Sequence, residues 1–434
     1  MSLFGTSGIR GPVGERVTAD LALRVGRAVG VGADSVVLGR DARSTGPALA
    51  DAFAAGAREA GADVLDAGLA ATPTVARAVE WFDADAGCVI TASHNPPADN
   101  GLKLWSRDGA FDADRRATVE QRVEQGVDPL AWDRQGERRE VAARGRHVDA
   151  LAGDAAIEDA PAVAVDLGNG VGGVVVDALD ALGCRVETLN AQPDGRFPGR
   201  PSEPTAENCT SLCALVGNTD ADLGVAHDGD ADRMMAVADD GTFLPGDALL
   251  AILGASIASE GERVAMPVDT SLAVEDHLAE QGVGVERTPV GDVHVAAALG
   301  GDVTFGGEPS GAWIWPSVGC PDGPLAACRL AALAAERPLS ERLAELPGYP
   351  IRRTSIEVED RADRMERVRE RAGERYDADA IDSLDGVRVD LGDAWFLVRA
   401  SGTQPLVRVT AEARDADRAE AAFEAASSLV RSGG

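Results

Sequence analysis

Apolar runs of strand length alternate with helix-length amphipathic stretches from Thr18 onward: LALRVGRAVGVG, SVVLG, PALADAFAAGAREAGA, DVLDAGL, TVARAVEWF and GCVIT come in that order. A chain that keeps switching between these two periods buries both kinds of element by laying helices over a sheet of mostly parallel strands, so repeated βαβ units are expected. The alternation restarts at AVAVDLGNGVGGVVVDALDALGC, runs through RVETLN to ADLGVAHDGDAD, and restarts again around GERVAMPVDTS, GVGVERTP and GDVTFGG. Three βα-rich segments of roughly 100 residues each predict three domains of related topology, with no literal repeat between them. After ELPGYP at 345–350 the style changes to the strand SIEVED, the charged helix DRMERVRERAGERY, several strands within DGVRVDLGDAWFLVRASGTQPLVRVTAEA, and the final helix DRAEAAFEAASSLV. This predicts a smaller α+β domain after three mixed α/β domains. A length of 434 residues exceeds what one core organises. The expected boundaries are 1–148, 149–245, 246–348 and 349–434.

A formal charge of −31 repels phosphodiester backbones, so no nucleic-acid partner is expected. Lys103 is the only lysine in the chain, while Asp and Glu number 72. Acidic excess with lysine nearly eliminated fits a halophilic protein, whose carboxylates stay hydrated while salt screens their repulsion. The six cysteines form no CxxC pair and no zinc-type cluster with histidine, and read as reduced thiols. No basic-then-apolar leader opens the chain, and the longest apolar run, ALLAILGASIAS at 248–259, is too short to span a bilayer. The expected location is the cytoplasm, with no membrane partner.

Five stretches carry candidate chemistry. In TASHNPPADNGLKLW at 91–105, Ser93 follows the buried-strand pattern GCVIT, and ligands of open α/β sheets bind beyond the carboxyl ends of strands. Pro96 and Pro97 stiffen the loop after it, and Asn100-Gly101 is read as a turn returning Lys103 towards the serine. In HDGDADR at 227–233, Asp228, Asp230 and Asp232 alternate just beyond an apolar run, a spacing suited to one hard cation such as Mg²⁺. An EF-hand is excluded, since its sixth and twelfth positions are held by Arg233 and Asp239. GGEPSG at 306–311 offers Glu308 and Ser310 for paired sugar hydroxyls, and RASGTQP at 399–405 joins Arg399 to Ser401, Gly402 and Thr403 as a phosphate cradle. DLGNGVGG at 166–173 satisfies GxGxxG through Gly168, Gly170 and Gly173, with Glu187 near the ribose-binding position. A nicotinamide-dependent dehydrogenase is therefore an alternative to be tested.

FGTSGIRG at 4–11, TASHNPPADNGLKLW, HDGDADR, GGEPSG and RASGTQPLVRV together, in this order, resemble the α-D-phosphohexomutase superfamily, and SEPTAEN at 202–208 resembles its Pro-Glu-Pro-x-x-Glu-Asn segment. The resemblance implies four domains round a central cleft. It also implies interconversion of hexose 6-phosphate and hexose 1-phosphate through a phosphoserine and a hexose 1,6-bisphosphate, which also serves as activator. Residue by residue, Ser93 matches the phosphorylated serine and, with Asp228, Asp230 and Asp232, the site of one Mg²⁺. Arg10, His94 and Lys103 match the residues beside the phosphoserine, Glu308 and Ser310 the sugar contacts, and Arg399, Ser401, Gly402 and Thr403 the loop for the non-reacting phosphate. Lys103 is expected to have a lowered pKa and to exchange a proton with the sugar. Three positions depart from the pattern: Ala312 stands where many relatives have histidine, Gln404 where Glu is usual, and His294 follows VGDV. The substrate expected is a hexose phosphate, with a slight preference for glucosamine phosphate over mannose and glucose phosphates, turned over by a monomer or homodimer. A metal-dependent phosphatase, which would pass the phosphoryl group to water, is the other alternative.

Overall fold

A computed structural model of the chain describes residues 3–5, 8–401 and 406–431. Its sheets follow the alternation read from the sequence. The first runs in the order Ile9–Pro12, Asp99–Ser106, Ala86–Ile90, Ser35–Arg40, Asp63–Leu69 and Arg138–Glu140, with Gly109–Ala110 paired beside Asp99–Ser106. Its four strands from Ala86–Ile90 to Arg138–Glu140 are parallel, and the two at the other edge are antiparallel. Helices Ala19–Gly30 and Gly46–Glu59 cover one face, helix Thr72–Trp81 the other. Every residue of Ala86–Ile90 is buried, as expected of an interior strand in a sheet covered on both faces. Full burial of Val89 and Ile90 stabilises this strand by about 1.5–3 kcal/mol each, so its carboxyl end is a firm base for the loop that carries Ser93.

The second sheet runs Met234–Ala238, Leu223–His227, Ala162–Asp166 and Arg185–Leu189, the first pair antiparallel and the others parallel. Strand Arg263–Pro267 pairs in parallel with Gly284–Thr288 on one side and Val303–Glu308 on the other. The last sheet is wholly antiparallel, in the order Ile351–Glu357, Leu406–Ala413, Ala394–Ala400, Val387–Asp390 and Ile381–Asp382. Helices Arg361–Arg375 and Ala416–Arg431 pack on it.

The chain divides into two compact units, one formed by Met1–Leu249 with Ser310–Leu343, the other by Leu250–Pro309 with Ala344–Gly434. All six cysteines are free thiols. Among the described residues no helix is long and apolar enough to cross a membrane.

One local expectation is overturned. Asn100-Gly101 is not a turn: both residues lie inside strand Asp99–Ser106, which runs antiparallel to Ala86–Ile90 and to Ile9–Pro12. The chain reverses earlier, in the proline-containing segment 94–98, where Asn95 N donates to Ala92 O and Asp99 N to Pro96 O. Strand pairing on both sides outweighs the local turn propensity of Asn-Gly.

Candidate active site

Two loops of the first unit leave the carboxyl ends of strands and meet. Beyond Ala86–Ile90, the Thr91 hydroxyl accepts from Ser93 N at 2.8 Å and donates to the buried Asp41 carboxylate at 2.7 Å. Ser93 is buried and sits at φ 53°, in the left-handed region, which costs a non-glycine residue roughly 1–2 kcal/mol. Its Oγ donates to Asp228 Oδ2 at 2.5 Å and lies 3.3 Å from His94 Nδ1. Burial, reinforced by Arg233, Arg10 and Lys103, lowers the His94 pKa to about 3, so this imidazole is neutral near pH 7.

Beyond Leu223–His227, the carboxylates of Asp228, Asp230 and Asp232 are buried, with one oxygen of each within 4.8 Å of the others. Ala231, between Asp230 and Asp232, is also in the left-handed region, at φ 57°. Burial and the two neighbouring carboxylates push Asp228 well above the usual carboxylate range. Burial acts on Asp230 in the same sense, but Lys103 and the Thr72 hydroxyl, 2.6 Å away, hold it well below that range. Asp230 Oδ1 and Asp232 Oδ1 are buried and accept no hydrogen bond. Two orphaned carboxylate oxygens inside a ring of three acids suit a hard divalent cation, which takes oxygen ligands.

Lys103 departs from its expectation. Its Nζ donates to Asp230 Oδ2 at 2.7 Å and also to Asp232 Oδ2, so it lies in the acid cluster. Burial opposes its charge, but the two carboxylates outweigh burial and its pKa is raised, not lowered. Arg10, on the neighbouring strand Ile9–Pro12, keeps a buried Nε with no hydrogen-bond partner.

The glycine-rich turn is absorbed by this same site. Gly168 has φ 52°, and a Cβ there would come within 2.7–2.9 Å of the Arg200 guanidinium. A Cβ at Gly170 would lie 2.6 Å from Gly229 O and 2.9 Å from Asp228 O. Gly168 thus makes room for Arg200 and Gly170 lets the turn press against the aspartate loop, and Glu187 is exposed on strand Arg185–Leu189. The dehydrogenase reading therefore loses its motif.

Ser310 opens the Ser310–Leu343 segment of the first unit and is exposed. In the second unit, Glu308 ends strand Val303–Glu308, is buried, and accepts from Gly291 N at 2.7 Å. Arg399 pairs with Asp385 at 2.9 Å, and the buried Ser401 receives Arg361 on its carbonyl while its N–H donates to Leu406 O. Gly402, Thr403 and Gln404 lie outside the described residues. Ala312 is buried and bridges to Arg233 through the backbone.

Sequence reasoning missed the supports of the two loops: Asp41, Arg43, Thr72, Arg200 and Ser202. An available signal was the acid-x-Arg of GRDAR directly after strand Ser35–Arg40.

Comparison with known proteins adds the family. The description "Phosphoglucomutase/phosphomannomutase, alpha/beta/alpha domain I" matches residues 1–128, domain II 146–241, domain III 245–349 and the C-terminal domain 354–427. The chain is 46% identical over 430 residues to a probable phosphoglucosamine mutase of Methanopyrus kandleri, covering 96% of this chain and 95% of that one. A probable phosphoglucosamine mutase of Methanococcoides burtonii is 41% identical over 437 residues, with 99% of each covered. Among solved structures, a phosphoglucomutase/phosphomannomutase family protein from Burkholderia thailandensis superposes with a TM-score of 0.87 at 29% identity, over 100% of this chain and 98% of that one.

Proposed function

The chain belongs to the phosphoglucomutase/phosphomannomutase family, and on that premise we propose that it interconverts hexose 6-phosphate and hexose 1-phosphate, preferring glucosamine phosphate slightly over mannose or glucose phosphate. The names of the curated relatives support the sugar preference. The observation that carries the chemistry is the Ser93 hydroxyl 2.5 Å from Asp228, inside a buried cluster of acids with two unsatisfied oxygens.

In the proposed cycle Ser93 carries a phosphoryl group. The free hydroxyl of the hexose phosphate attacks phosphorus, the P–O bond to Ser93 Oγ breaks as the new one forms, and the proton that the sugar hydroxyl gives up ends on the departing Ser93 Oγ. The bisphosphate then turns, and Ser93 takes the other phosphoryl group back. Hexose 1,6-bisphosphate loads the resting serine by the same step.

Such transfer depends on alignment and on offsetting negative charge over the phosphoryl oxygens. Arg10, with its uncommitted Nε, supplies donors to those oxygens. Neutral His94 lies within reach of Ser93 Oγ as a hydrogen-bond partner for the hydroxyl. Lys103, charged among the aspartates, keeps the cluster from repelling an anionic substrate. Mg²⁺, when bound by Asp228, Asp230, Asp232 and a phosphoserine oxygen, would supply positive charge at the transferring group. Glu308 and Ser310 are proposed to hold sugar hydroxyls, and Arg399, Ser401, Gly402 and Thr403 the phosphate that is not reacting.

A side-by-side turnover measurement on glucosamine, mannose and glucose 1-phosphates tests the reading. Formation of 6-phosphates, fastest for glucosamine phosphate and abolished in Ser93→Ala, is expected. Full activity in Ser93→Ala, or exclusive turnover of a pentose phosphate, would overturn it.

A further inference from the structure

The nucleophile's own carbonyl is a junction between two buried side chains from distant parts of the first unit. Arg43 has no side-chain exposure, and every N–H of its guanidinium is used. Nε donates to Asp41 Oδ2 at 3.0 Å, Nη1 to Pro96 O at 2.6 Å and Asp99 O at 2.8 Å, and Nη2 to Ser93 O at 2.8 Å and Asn95 O at 2.6 Å. The loop from Ser93 to Asp99 is thus wound round one fork-shaped cation. The guanidinium also lies 5.1 Å from the centre of the Phe197 ring.

Ser202 reaches the same carbonyl. Its Oγ donates to Ser93 O at 2.9 Å and accepts from Gly229 N at 2.9 Å. One buried hydroxyl therefore ties the backbone of the nucleophile to the backbone between Asp228 and Asp230. Ser202 is itself held, since its carbonyl accepts from Arg200 Nη1 at 3.1 Å, and Arg200 Nη2 donates to His227 O at 2.6 Å.

We infer that Arg43 and Ser202 are a positioning pair: they hold Ser93 in its left-handed backbone conformation and fix its reach to the aspartate loop. A left-handed serine is disfavoured by itself and persists only where its surroundings over-determine it. Here its N–H is held by Thr91 and its C=O by both Arg43 and Ser202. Lysine at position 43 brings three donors on a flexible stem in place of five in a plane, leaving at least two of the acceptors unpaired. Alanine at position 202 removes the donor to Ser93 O and the acceptor for Gly229 N together.

The inference rests on the proposed function, so its test carries a readout that does not. Amide hydrogen exchange of the 93–99 segment is measured in the wild type, Ser202→Ala, Ser202→Thr and Arg43→Lys, alongside kcat, KM and the Mg²⁺ concentration for half-maximal rate. Ser202→Ala is expected to speed exchange in 93–99 and at Gly229 but not in the second unit. It should lower kcat on the order of 10- to 100-fold, the scale of a misplaced reacting group, with little change in KM and a raised Mg²⁺ requirement. Ser202→Thr, which keeps the hydroxyl, should restore most of the rate. Arg43→Lys should act in the same direction and more strongly. Exchange and kcat both unchanged in Ser202→Ala would overturn the inference. A wild type that turns over no hexose phosphate would instead overturn the proposed function, leaving the exchange data to decide this inference alone.

Discussion

The serine loop 93–99 and the aspartate loop 228–232 are built alike and differ in one respect. Each leaves the carboxyl end of a fully buried strand, holds one non-glycine residue in the left-handed region, and closes round a buried cationic side chain. The serine loop closes on Arg43 with four neutral carbonyls, and Asp41 takes the fifth donor. The aspartate loop closes on Lys103 with carboxylates. A guanidinium spread over fixed carbonyls is a permanent part of the backbone scaffold. An ammonium is a compact charge on a flexible stem, and a divalent cation can compete with it for the same carboxylates. The difference gives the only lysine of the chain a reason to be a lysine: it sits where a rotatable point charge is wanted, and arginine serves where the geometry is fixed.

Removing each of the two cations in turn should separate the loops most strongly. Arg43→Met should destabilise the protein by about 3–5 kcal/mol, since it strands the buried Asp41 carboxylate and four carbonyls. Lys103→Met, assayed with saturating Mg²⁺, should cost less than half as much in chemical unfolding. Equal losses would mean that the two cations play the same part.

The next largest effect concerns rate. Lys103→Arg should fold and bind sugar phosphate, yet lose on the order of 10²-fold in turnover, because the planar, larger head cannot take up the same place among the aspartates. Near-wild-type turnover would make the lysine a remnant.

Mg²⁺ at about 100 times its dissociation constant should stabilise the wild type by about 2.7 kcal/mol in thermal unfolding, and Asp230→Asn should lose most of that gain. The smallest effect belongs to Ala231. Ala231→Gly relieves the left-handed strain but loosens the unfolded chain, so the net change should stay within about 1 kcal/mol by the same unfolding measurement.

Much of this was legible in the sequence because it is local. The strands before Ser93 and Asp228 show as apolar runs, and the acids alternate within five residues. What stayed hidden depends on contacts distant in sequence. Arg43 reaches Ser93 across 50 residues and Ser202 reaches it across 109, and neither pairing leaves a periodic trace. Asn100-Gly101 misled because strand pairing on both sides overrode its turn propensity. Lys103 misled in its pKa because burial alone lowers it, and its two carboxylate partners lie more than a hundred residues away. DLGNGVGG misled because a close approach to protein groups, the Arg200 guanidinium at Gly168 and the aspartate-loop backbone at Gly170, demands the same residue as a close approach to a pyrophosphate.

In the proposed cycle the phosphoryl group passes between Ser93 and a sugar hydroxyl, and not to water. Protein labelled with ³²P on Ser93, mixed in a single turnover with unlabelled glucosamine 1-phosphate, tests it directly. The label should leave Ser93 and appear in hexose bisphosphate and then in hexose 6-phosphate. Label released as inorganic phosphate, with no labelled sugar phosphate formed, would contradict it.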